Sequence, residues 1–318
     1  MPPACAVFAT GMKAIAYERF GSADVLELKD LPTPHPGSDS VLVQVKAASL
    51  NPVDYKAREG YLKGVIDTVF PAVPGWDVAG VVVKPGLDTP ELSEGDEVLA
   101  YARKDVISGG TLAEFVEVPV RTLALKPPTL SFEDAAALPL TGLTALQTVR
   151  RARVSPGQTV LIHAAAGGVG SYAVQLARLA GARVVGTASE GNHEYLRSLG
   201  AEPVEYGDRL VQAARGLAPE GFDVILDFVG NGALDTVPQL LRDGGMVASV
   251  TDTRARDLYG GQYVWVRPDP LQLAELAQLA ADGRLRVEVA EVFDLAQTAE
   301  AYRTLEGGHV RGKLVVRI

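Results

Sequence analysis

The sequence predicts an α/β protein of two domains, a barrel-like β domain followed by a doubly wound parallel sheet. The chain has 318 residues, which is too long for one ordinary hydrophobic core. Up to about residue 130 it consists of short strand-like runs separated by Gly, Pro and Asp. From residue 159 strand-like and helix-like runs alternate, which is typical of a parallel sheet with helical crossovers.

The first part of the chain carries the strand signals of an antiparallel β domain. The run "VLVQVKAASL" alternates, and "DVAGVVVKPG", "GDEVLAY" and "AEFVEVP" follow it at short intervals. The spacing of the apolar residues then changes from a strand-like to a helix-like pattern in "SFEDAAALPLTGLTALQTVRRA". Ser131 stands two residues before Glu133 and three before Asp134, which predicts the start of a helix.

The second part contains six short strand-like runs, "TVLIHA", "RVVGTA", "PVEY", "DVILDFV", "GMVASV" and "QYVWVR". Helical runs lie between most of them, so we expect a doubly wound parallel sheet. A further helix, "LQLAELAQLAADG", follows. The tail then predicts a strand, a helix and a final strand that return to the first domain.

Composition narrows the functional classes. A net charge of −9 argues against a nucleic-acid or anionic-membrane partner. Cys5 is the single cysteine, which excludes an intrachain disulfide and a Cys-rich zinc site and suits the reducing cytoplasm. No apolar run approaches the roughly 18 residues that span a bilayer. Residues 1–11 lack a basic start, and we interpret them as a flexible extension.

The stretch "HAAAGGVG" joins a predicted strand to a predicted helix. Residues 165–170 align with the pattern G-x-G-x-x-G, with Ala165 in place of the first glycine and Gly167 and Gly170 in the other two places. Backbone amides at a helix start bind a pyrophosphate, and a Cβ at Gly168 would block its approach. Gly170 would let the helix pack closely on the strand. We therefore predict dinucleotide binding by the backbone of Gly167, Gly168, Val169 and Gly170; the alternative is a tight turn without a nucleotide.

Ser189 ends the second strand of this unit, where NAD-binding folds usually place Asp or Glu against the ribose hydroxyls. A carboxylate there would repel the extra phosphate of NADP by about 3 kcal/mol per charge pair, for charges about 5 Å apart at an effective dielectric constant of about 20. Serine removes this repulsion and can donate a hydrogen bond. We therefore predict NADPH as the cofactor, with NADH less favoured, although Glu190 follows directly.

The sequence resembles the zinc-free medium-chain dehydrogenases/reductases of the quinone oxidoreductase and enone (alkenal) reductase branch. The resemblance runs from Met12 to Ile318 and is carried by "NPVDYKAREG", "FPAVPGWDVAGVVV", "GDEVLAY", "AAALPLTGLTALQTV", "VLIHAAAGGVGSYAVQLA", "YLRSLGA", "DFVG" and "GHVRGKLVV". It implies a GroES-like catalytic domain over 12–135, a Rossmann NADP-binding domain over 136–267, and a return of 268–318 to the first domain. It also implies an active site in the cleft between the two domains.

The resemblance also implies that no catalytic zinc is held. Zinc-dependent members use two cysteines and a histidine at positions that match Asn51, Trp76 and Thr141 here, and none of these three is a good zinc ligand. Asp77 alone cannot make a site, and the lobe of four cysteines that holds structural zinc is missing. We expect no metal.

Without a metal, a nicotinamide can still transfer a hydride to an electron-poor carbon, such as Cβ of an α,β-unsaturated carbonyl. The negative charge that develops on the carbonyl oxygen then needs a hydrogen-bond donor. The resemblance places a lysine at Lys56 in some relatives and a tyrosine there in others, whereas here Tyr55 stands one place earlier. The donor is therefore Lys56 or Tyr55, unless both are solvated surface residues. Asn51 is expected to orient the loop or to contact the ribose.

Further cofactor contacts are implied by the same resemblance. Asn192 stands where NADP-preferring members often have lysine, so phosphate recognition would depend on Ser189, Asn192 and Tyr195. The other implied contacts are Thr141, Phe228, Val229, Gly230, Val250, Val264, Val266 and Arg267. Core packing is the alternative role for the apolar members of this set.

The resulting functional hypothesis is NADPH-dependent reduction of quinones or of the C=C bond of enones. The alternatives are a trans-acting enoyl-thioester reductase and a non-catalytic NADPH-binding or redox-sensing protein. We also expect a homodimer, because "QYVWVR" would form an apolar edge strand.

Overall fold

The computed structural model describes residues 11–318 in two compact units. The first contains the chain up to Leu140 together with Pro268–Ala281 and Val289–Ile318, and the second contains Thr141–Arg267 and Asp282–Glu288. Of the expected N-terminal extension only Gly11 is described; the other ten residues lie outside the described part.

The first unit is built around a seven-stranded sheet. Its strand order is β16-β17-β3-β5-β6-β9, with β8 paired to β3 beside this path, and β1-β2 and β4-β7 form two-stranded sheets. The strands are β1 Met12–Ala16, β2 Glu27–Leu31, β3 Ser40–Ser49, β4 Asp67–Val73, β5 Asp77–Lys84, β6 Glu97–Tyr101, β7 Val106–Gly109, β8 Phe115–Pro119, β9 Leu123–Leu125, β16 Val289–Asp294 and β17 Lys313–Arg317. The predicted antiparallel pairing holds for β3 with β5, β8 and β17, whereas β4-β7 and β16-β17 are parallel.

Helices cover this unit at points that the sequence marks. They are α1 Pro52–Arg58, α2 Phe132–Ala137, the start of α3 Pro139–Arg151, α9 Pro270–Ala281 and α10 Thr298–Glu306. The predicted start at Ser131 is confirmed, because its hydroxyl accepts a hydrogen bond from the Asp134 amide at 3.0 Å. The long helical run that follows is divided into α2 and α3 at Pro139, since proline has no amide hydrogen to continue the ladder.

The second unit is a six-stranded parallel sheet with strand order β12-β11-β10-β13-β14-β15. The chain thus runs outward in one direction from β10 and then in the other from β13, as in a doubly wound sheet. The strands are β10 Thr159–His163, β11 Arg183–Thr187, β12 Glu202–Val204, β13 Phe222–Asp227, β14 Leu241–Ser249 and β15 Gln262–Tyr263. The helices are the rest of α3, α4 Gly168–Leu179, α5 His193–Ser198, α6 Leu210–Leu217, α7 Val237–Leu240 and α8 Arg254–Asp257.

Two expectations about boundaries differ from the structure. The strand expected over "QYVWVR" contains only Gln262 and Tyr263. The Arg267 amide and carbonyl are not available for strand pairing, because the amide donates to Gln147 Oε1 and the carbonyl accepts from Gln147 Nε2. Residues 282–288 belong to the second unit rather than the first. Gln175 of α4 holds them there: its Nε2 donates to the Arg286 carbonyl, and its Oε1 accepts from the Arg286 amide.

The close approach of α4 to β10 can be tested at Gly170. A Cβ built at this residue would lie 2.1 Å from the Ala164 carbonyl oxygen. Gly170→Ala should therefore lower the free energy of unfolding by about 1–3 kcal/mol, although alanine is the better helix former. Thermal unfolding of the purified variant measures this change.

Gly167→Ala is the matched control, because its Cβ would lie 3.4 Å from the same oxygen and its φ is −75°. Its melting temperature should stay close to that of the wild type. Equal melting temperatures for the two variants would contradict the packing role of Gly170.

Candidate functional site

The joint between β10 and α4 is held by the neighbouring strand β11. The Ala164 amide donates to Thr187 Oγ1 at 3.0 Å, and the Ala165 amide donates to the Thr187 carbonyl at 3.0 Å. Ala165 is fully buried, and an ideal Cβ at Gly186 would come within 2.7 Å of its methyl group. The alanine at the first motif position is therefore accommodated by a glycine in the next strand, a compensation that the motif alone did not reveal.

The start of α4 presents backbone rather than side chains. Gly167 is the N-cap of this twelve-residue helix, and no described side chain caps it. Gly167, Gly168 and Val169 are partly exposed, whereas Ala165 and Gly170 are buried. The free amides of a helix start, with the positive end of the helix dipole, form an anion site. The Gly168 and Val169 amides fit the pyrophosphate of a dinucleotide, whereas the Gly167 amide donates to the Ala164 carbonyl at 3.1 Å.

The residues proposed for the adenosine phosphate lie at the end of β11. Ser189 and Asn192 are partly exposed, and the Asn192 Nδ2 donates to Ser189 Oγ at 3.2 Å. Tyr195 is instead buried, with the Arg286 guanidinium 5.6 Å from the centre of its ring. Ser189 and Asn192 are thus together at the carboxyl edge of the sheet, and Tyr206, which follows β12 at the same edge, is 61% exposed.

Asp227 organises the ends of β13 and β14, although no sequence motif had indicated this role. Its Oδ1 accepts from the Val229 and Gly230 amides, both at 2.9 Å. Its Oδ2 accepts from the Ser249 hydroxyl at 2.7 Å and the Thr251 hydroxyl at 3.1 Å. This fully buried carboxylate therefore fixes the turn "DFVG". An acidic residue at the end of an apolar strand was the available sequence signal.

The remaining cofactor candidates divide by exposure. Phe228, Val250 and Val266 are partly exposed, Val229 and Arg267 are exposed, and Gly230 and Val264 are buried. Thr141 is buried in α3. His163, which pairs in register with Asp227, is also buried; burial lowers its pKa, and the Asp227 charge opposes this shift only in part. His163 is therefore a buried strand residue whose imidazole is neutral.

In the first unit, Asn51 lies within a buried polar network with Asp77 and Lys313. Asn51 Nδ2 donates to Asp77 Oδ2 at 2.9 Å, and Lys313 Nζ donates to Asn51 Oδ1 at 2.6 Å. Burial raises the pKa of Asp77, and burial lowers the pKa of Lys313 against the attraction of Asp77. Both polar atoms of the Asn51 side chain are hydrogen-bonded within the protein, so Asn51 orients the start of α1.

Asp54 is a second buried carboxyl group beside this network. Its Oδ2 accepts from the Asn51 amide at 2.8 Å, which caps α1, while its Oδ1 is buried without a hydrogen-bond partner among the described residues. Burial raises the pKa of Asp54 to about 8; the Asn51 amide opposes this shift, and the charge of Asp77 adds to it. Asp54 is therefore largely protonated at neutral pH.

The two candidate donors lie on different faces of α1. Lys56 is exposed, whereas Tyr55 is partly buried and packs against the core of the first unit. Burial raises the pKa of Tyr55, and the carboxylates of Glu306 and Glu59 raise it further. A neutral hydroxyl at Tyr55 and a mobile ammonium at Lys56 are the two groups that α1 can offer to a substrate oxygen.

The chain does not offer a zinc site at the positions that the resemblance identified. Asn51 is committed to Asp77 and Lys313, Trp76 is a buried indole, and Thr141 is a buried hydroxyl. Within residues 11–318, no three His, Cys, Asp or Glu side chains are grouped so that they could hold a metal ion. The residues present do not fit a catalytic zinc. In the same range, no helix has the length and apolarity to cross a membrane.

A parallel sheet of order 3-2-1-4-5-6 with a glycine joint at its first crossover defines a dinucleotide-binding oxidoreductase domain. Two family models match the chain: "Alcohol dehydrogenase GroES-like domain" over residues 37–128 and "Zinc-binding dehydrogenase" over residues 199–316. The chain belongs to the medium-chain dehydrogenase/reductase family of oxidoreductases. The predicted family, fold class and two domain types are thereby confirmed.

Similar proteins cover almost the whole chain. The 2-methylene-furan-3-one reductase of Solanum lycopersicum and the chloroplastic NADPH-dependent alkenal/one oxidoreductase of Arabidopsis thaliana are each 37% identical over 315 residues, with 96% of this chain and 79% of each relative covered. Among solved structures, the quinone oxidoreductase from Coxiella burnetii has a TM-score of 0.87 and 35% identity, with 97% of this chain and 99% of that chain covered.

The raised pKa of Asp54 predicts a pH-dependent stability. An Asp titrates near 3.8 when unperturbed and near 8 at this position, so between these values the folded protein binds more protons than the unfolded chain. The free energy of unfolding should therefore fall as the pH rises through this range, by at most about 1.4 kcal/mol per pH unit from this group. Asp54→Asn mimics the protonated form and lacks this contribution.

Melting temperatures of both proteins between pH 5.5 and pH 8.5 measure the effect. The difference, variant minus wild type, should increase with pH. A difference that stays constant or decreases would show that Asp54 is ionised in the folded protein.

Proposed function

We propose that this protein reduces quinones or the C=C bond of α,β-unsaturated carbonyl compounds with NADPH, by hydride transfer without a metal. The observation that carries the proposal is the start of α4, where Gly167, Gly168 and Val169 offer partly exposed backbone at a helix N-terminus. The acceptor class is supported by relatives that are named as an alkenal/one oxidoreductase, a furanone reductase and quinone oxidoreductases.

When bound, the reduced nicotinamide supplies a hydride to the electron-poor carbon of the acceptor. The chain itself then has to stabilise the charge on the acceptor oxygen. We assign this role first to Lys56, because its exposed ammonium can move to the oxygen, and second to Tyr55, whose hydroxyl lies on a more buried face of α1. Asp227 holds the amides of Val229 and Gly230 in place at the carboxyl edge of the sheet, where the cofactor would bind.

The preference for NADPH is supported by the neutral pair of Ser189 and Asn192. Both side chains can donate hydrogen bonds to a phosphate, and neither repels it. Tyr195 contributes through packing in this proposal, since Arg286 covers its ring.

The function is tested by following NADPH absorbance with a naphthoquinone, a simple enone such as 3-penten-2-one, and an enoyl thioester. Oxidation with the quinone or the enone is the expected result. Turnover of the thioester alone would instead indicate an enoyl-thioester reductase. NADPH binding without any turnover would indicate a binding or redox-sensing protein.

Removing the oxygen donor should slow the reaction. Lys56→Met should lower kcat/KM for the enone on the order of a hundredfold, while the Kd of NADPH stays nearly constant. Lys13→Met is the matched control, because Lys13 is an exposed lysine paired with Asp30. If Lys56→Met retains full turnover and Tyr55→Phe loses it, Tyr55 is the donor; if both retain it, neither residue is.

A negative charge at the end of β11 should change the cofactor preference. Ser189→Asp should weaken NADPH binding relative to NADH, because the carboxylate repels the additional phosphate by about 3 kcal/mol per charge pair. Kinetics with both cofactors gives the ratio of kcat/KM values. A ratio equal to that of the wild type would move the phosphate site away from Ser189.

We further propose that the protein forms a homodimer through the free edge of the parallel sheet. The edge strand β15 is short, but Trp265, two residues beyond its end, is 43% exposed. Light scattering should give twice the mass of one chain, and Trp265→Glu should shift the mass to that of a monomer. A monomeric wild type would refute the proposal.

A further inference from the structure

We propose that Asp77 and Lys313 are positioning residues for the reaction: one buried, charge-balanced network fixes the start of α1 and the start of α3. This inference rests on the function proposed above. Both side chains are buried, and their polar atoms are bonded within the protein, so we assign neither a direct contact with the substrate. They act through the backbone and side chains that they hold.

The Asp77 carboxylate joins the stretch between β3 and α1 to the start of α3 within the first unit. Its Oδ2 accepts from Ser49 Oγ at 3.0 Å and from Asn51 Nδ2 at 2.9 Å, and its Oδ1 accepts from the Leu140 amide at 2.9 Å. Ser49 ends β3, Asn51 precedes α1, and Leu140 is the second residue of α3. A single side chain of β5 therefore determines where these segments lie relative to one another.

The first of these segments leads to the two candidate donors, and the second leads to a candidate cofactor contact. Tyr55 and Lys56 follow Asn51 by four and five residues in α1, and Thr141 directly follows Leu140. A short helix moves as a rigid body about its N-cap, so a shift of Asn51 is transmitted to Tyr55 and Lys56. A misplacement of about 1 Å at a reacting centre can lower a rate on the order of a hundredfold.

Lys313 gives the amide of Asn51 a single orientation. The Lys313 ammonium donates to Asn51 Oδ1 at 2.6 Å and to the Leu50 carbonyl at 2.8 Å, and it lies 3.9 Å from Asp77 Oδ2. The ammonium faces the amide oxygen of Asn51, and the carboxylate faces its nitrogen. A flipped amide would place the NH2 group against the ammonium and the oxygen against the carboxylate, so the flip is unfavourable. Lys313 thus completes the network rather than donating to the substrate.

Stability alone does not account for this arrangement. A buried ion pair adds little to folding compared with apolar residues of similar size, because both ions lose their hydration. Loss of one partner is costly, since the other charge is then left buried and uncompensated. The charges therefore serve to define one geometry at the point where α1 and α3 begin.

The test compares Asp77→Asn, Lys313→Met and the double variant with the wild type. Asp77→Asn should lower kcat for the enone by about tenfold or more per folded molecule, while the Kd of NADPH changes by less than about twofold. The double variant removes both charges, so its melting temperature should recover relative to the single variants. Its kcat should stay low, because Leu140 and Asn51 still lack their carboxylate acceptor.

Asp223→Asn is the matched control in the second unit. Asp223 is a buried aspartate near the start of β13 that accepts from the Thr159 amide and pairs with Arg242. This variant should lose stability and keep its kcat. If Asp77→Asn behaves in the same way, with kcat unchanged in the folded protein, the positioning role is overturned.

If Asp77→Asn does not fold, Ser49→Ala is used instead, because it removes one hydrogen-bond donor to Asp77. This variant should reduce kcat more than it changes KM; an unchanged kcat overturns the proposal as well.

A measurement without turnover separates this inference from the proposed function. Hydrogen–deuterium exchange should accelerate in residues 51–59 and 139–145 of Asp77→Asn, but not in β10 or α4. Acceleration there in a protein that reduces none of the acceptors would support the positioning network and refute the function. Uniform acceleration, or none, would refute the network even if the wild type is active.

Discussion

The close contact between α4 and the end of β10 is the constraint on which the second unit depends. Gly170 brings the helix so near to the Ala164 carbonyl that no other residue fits without displacing the backbone. This contact places the start of α4 at the carboxyl edge of the central strand. The same edge carries Ser189 after β11 and the turn held by Asp227 after β13, because parallel strands end together. The candidate parts of a nucleotide site therefore lie along one edge of the sheet.

In the first unit, the arrangement of the chain segments depends on buried ionisable side chains rather than on one close steric contact. Asp77 and Lys313 lie entirely within the protein, and each satisfies groups from chain segments that are far apart in sequence. Asp54 caps the same helix and is held largely protonated by its burial. Burial raises the pKa of both carboxyl groups near α1. At Asp77 the charge of Lys313 and hydrogen bonds from Asn51, Leu140 and Ser49 oppose this shift, whereas Asp54 accepts one backbone amide.

Local signals identified a large part of this architecture. The strand-like and helical runs predicted the six parallel strands, the glycine joint and the helix start at Ser131, because each depends on residues close together in the chain. The prediction was less accurate where a side chain that is distant in the sequence determines the local structure. The last strand of the sheet is shorter than its apolar pattern indicates, since Gln147 competes for the backbone of Arg267. Residues 282–288 pack with the second unit because of a side chain on α4.

For the candidate site, the sequence by itself determined where a glycine-rich helix start follows the first strand of the sheet, that Ser189 beyond β11 is uncharged, and that Asn51, Trp76 and Thr141 stand at the three positions where related proteins hold zinc. Only the tertiary structure decided what the other polar residues do. It separated the exposed Lys56 from the half-buried Tyr55 and showed that Arg286 covers Tyr195. It also joined Lys313 to Asn51 across 262 positions of sequence. The physical reason is that backbone conformation follows from neighbouring residues, whereas the environment of a buried charge is supplied by whichever segments fold around it.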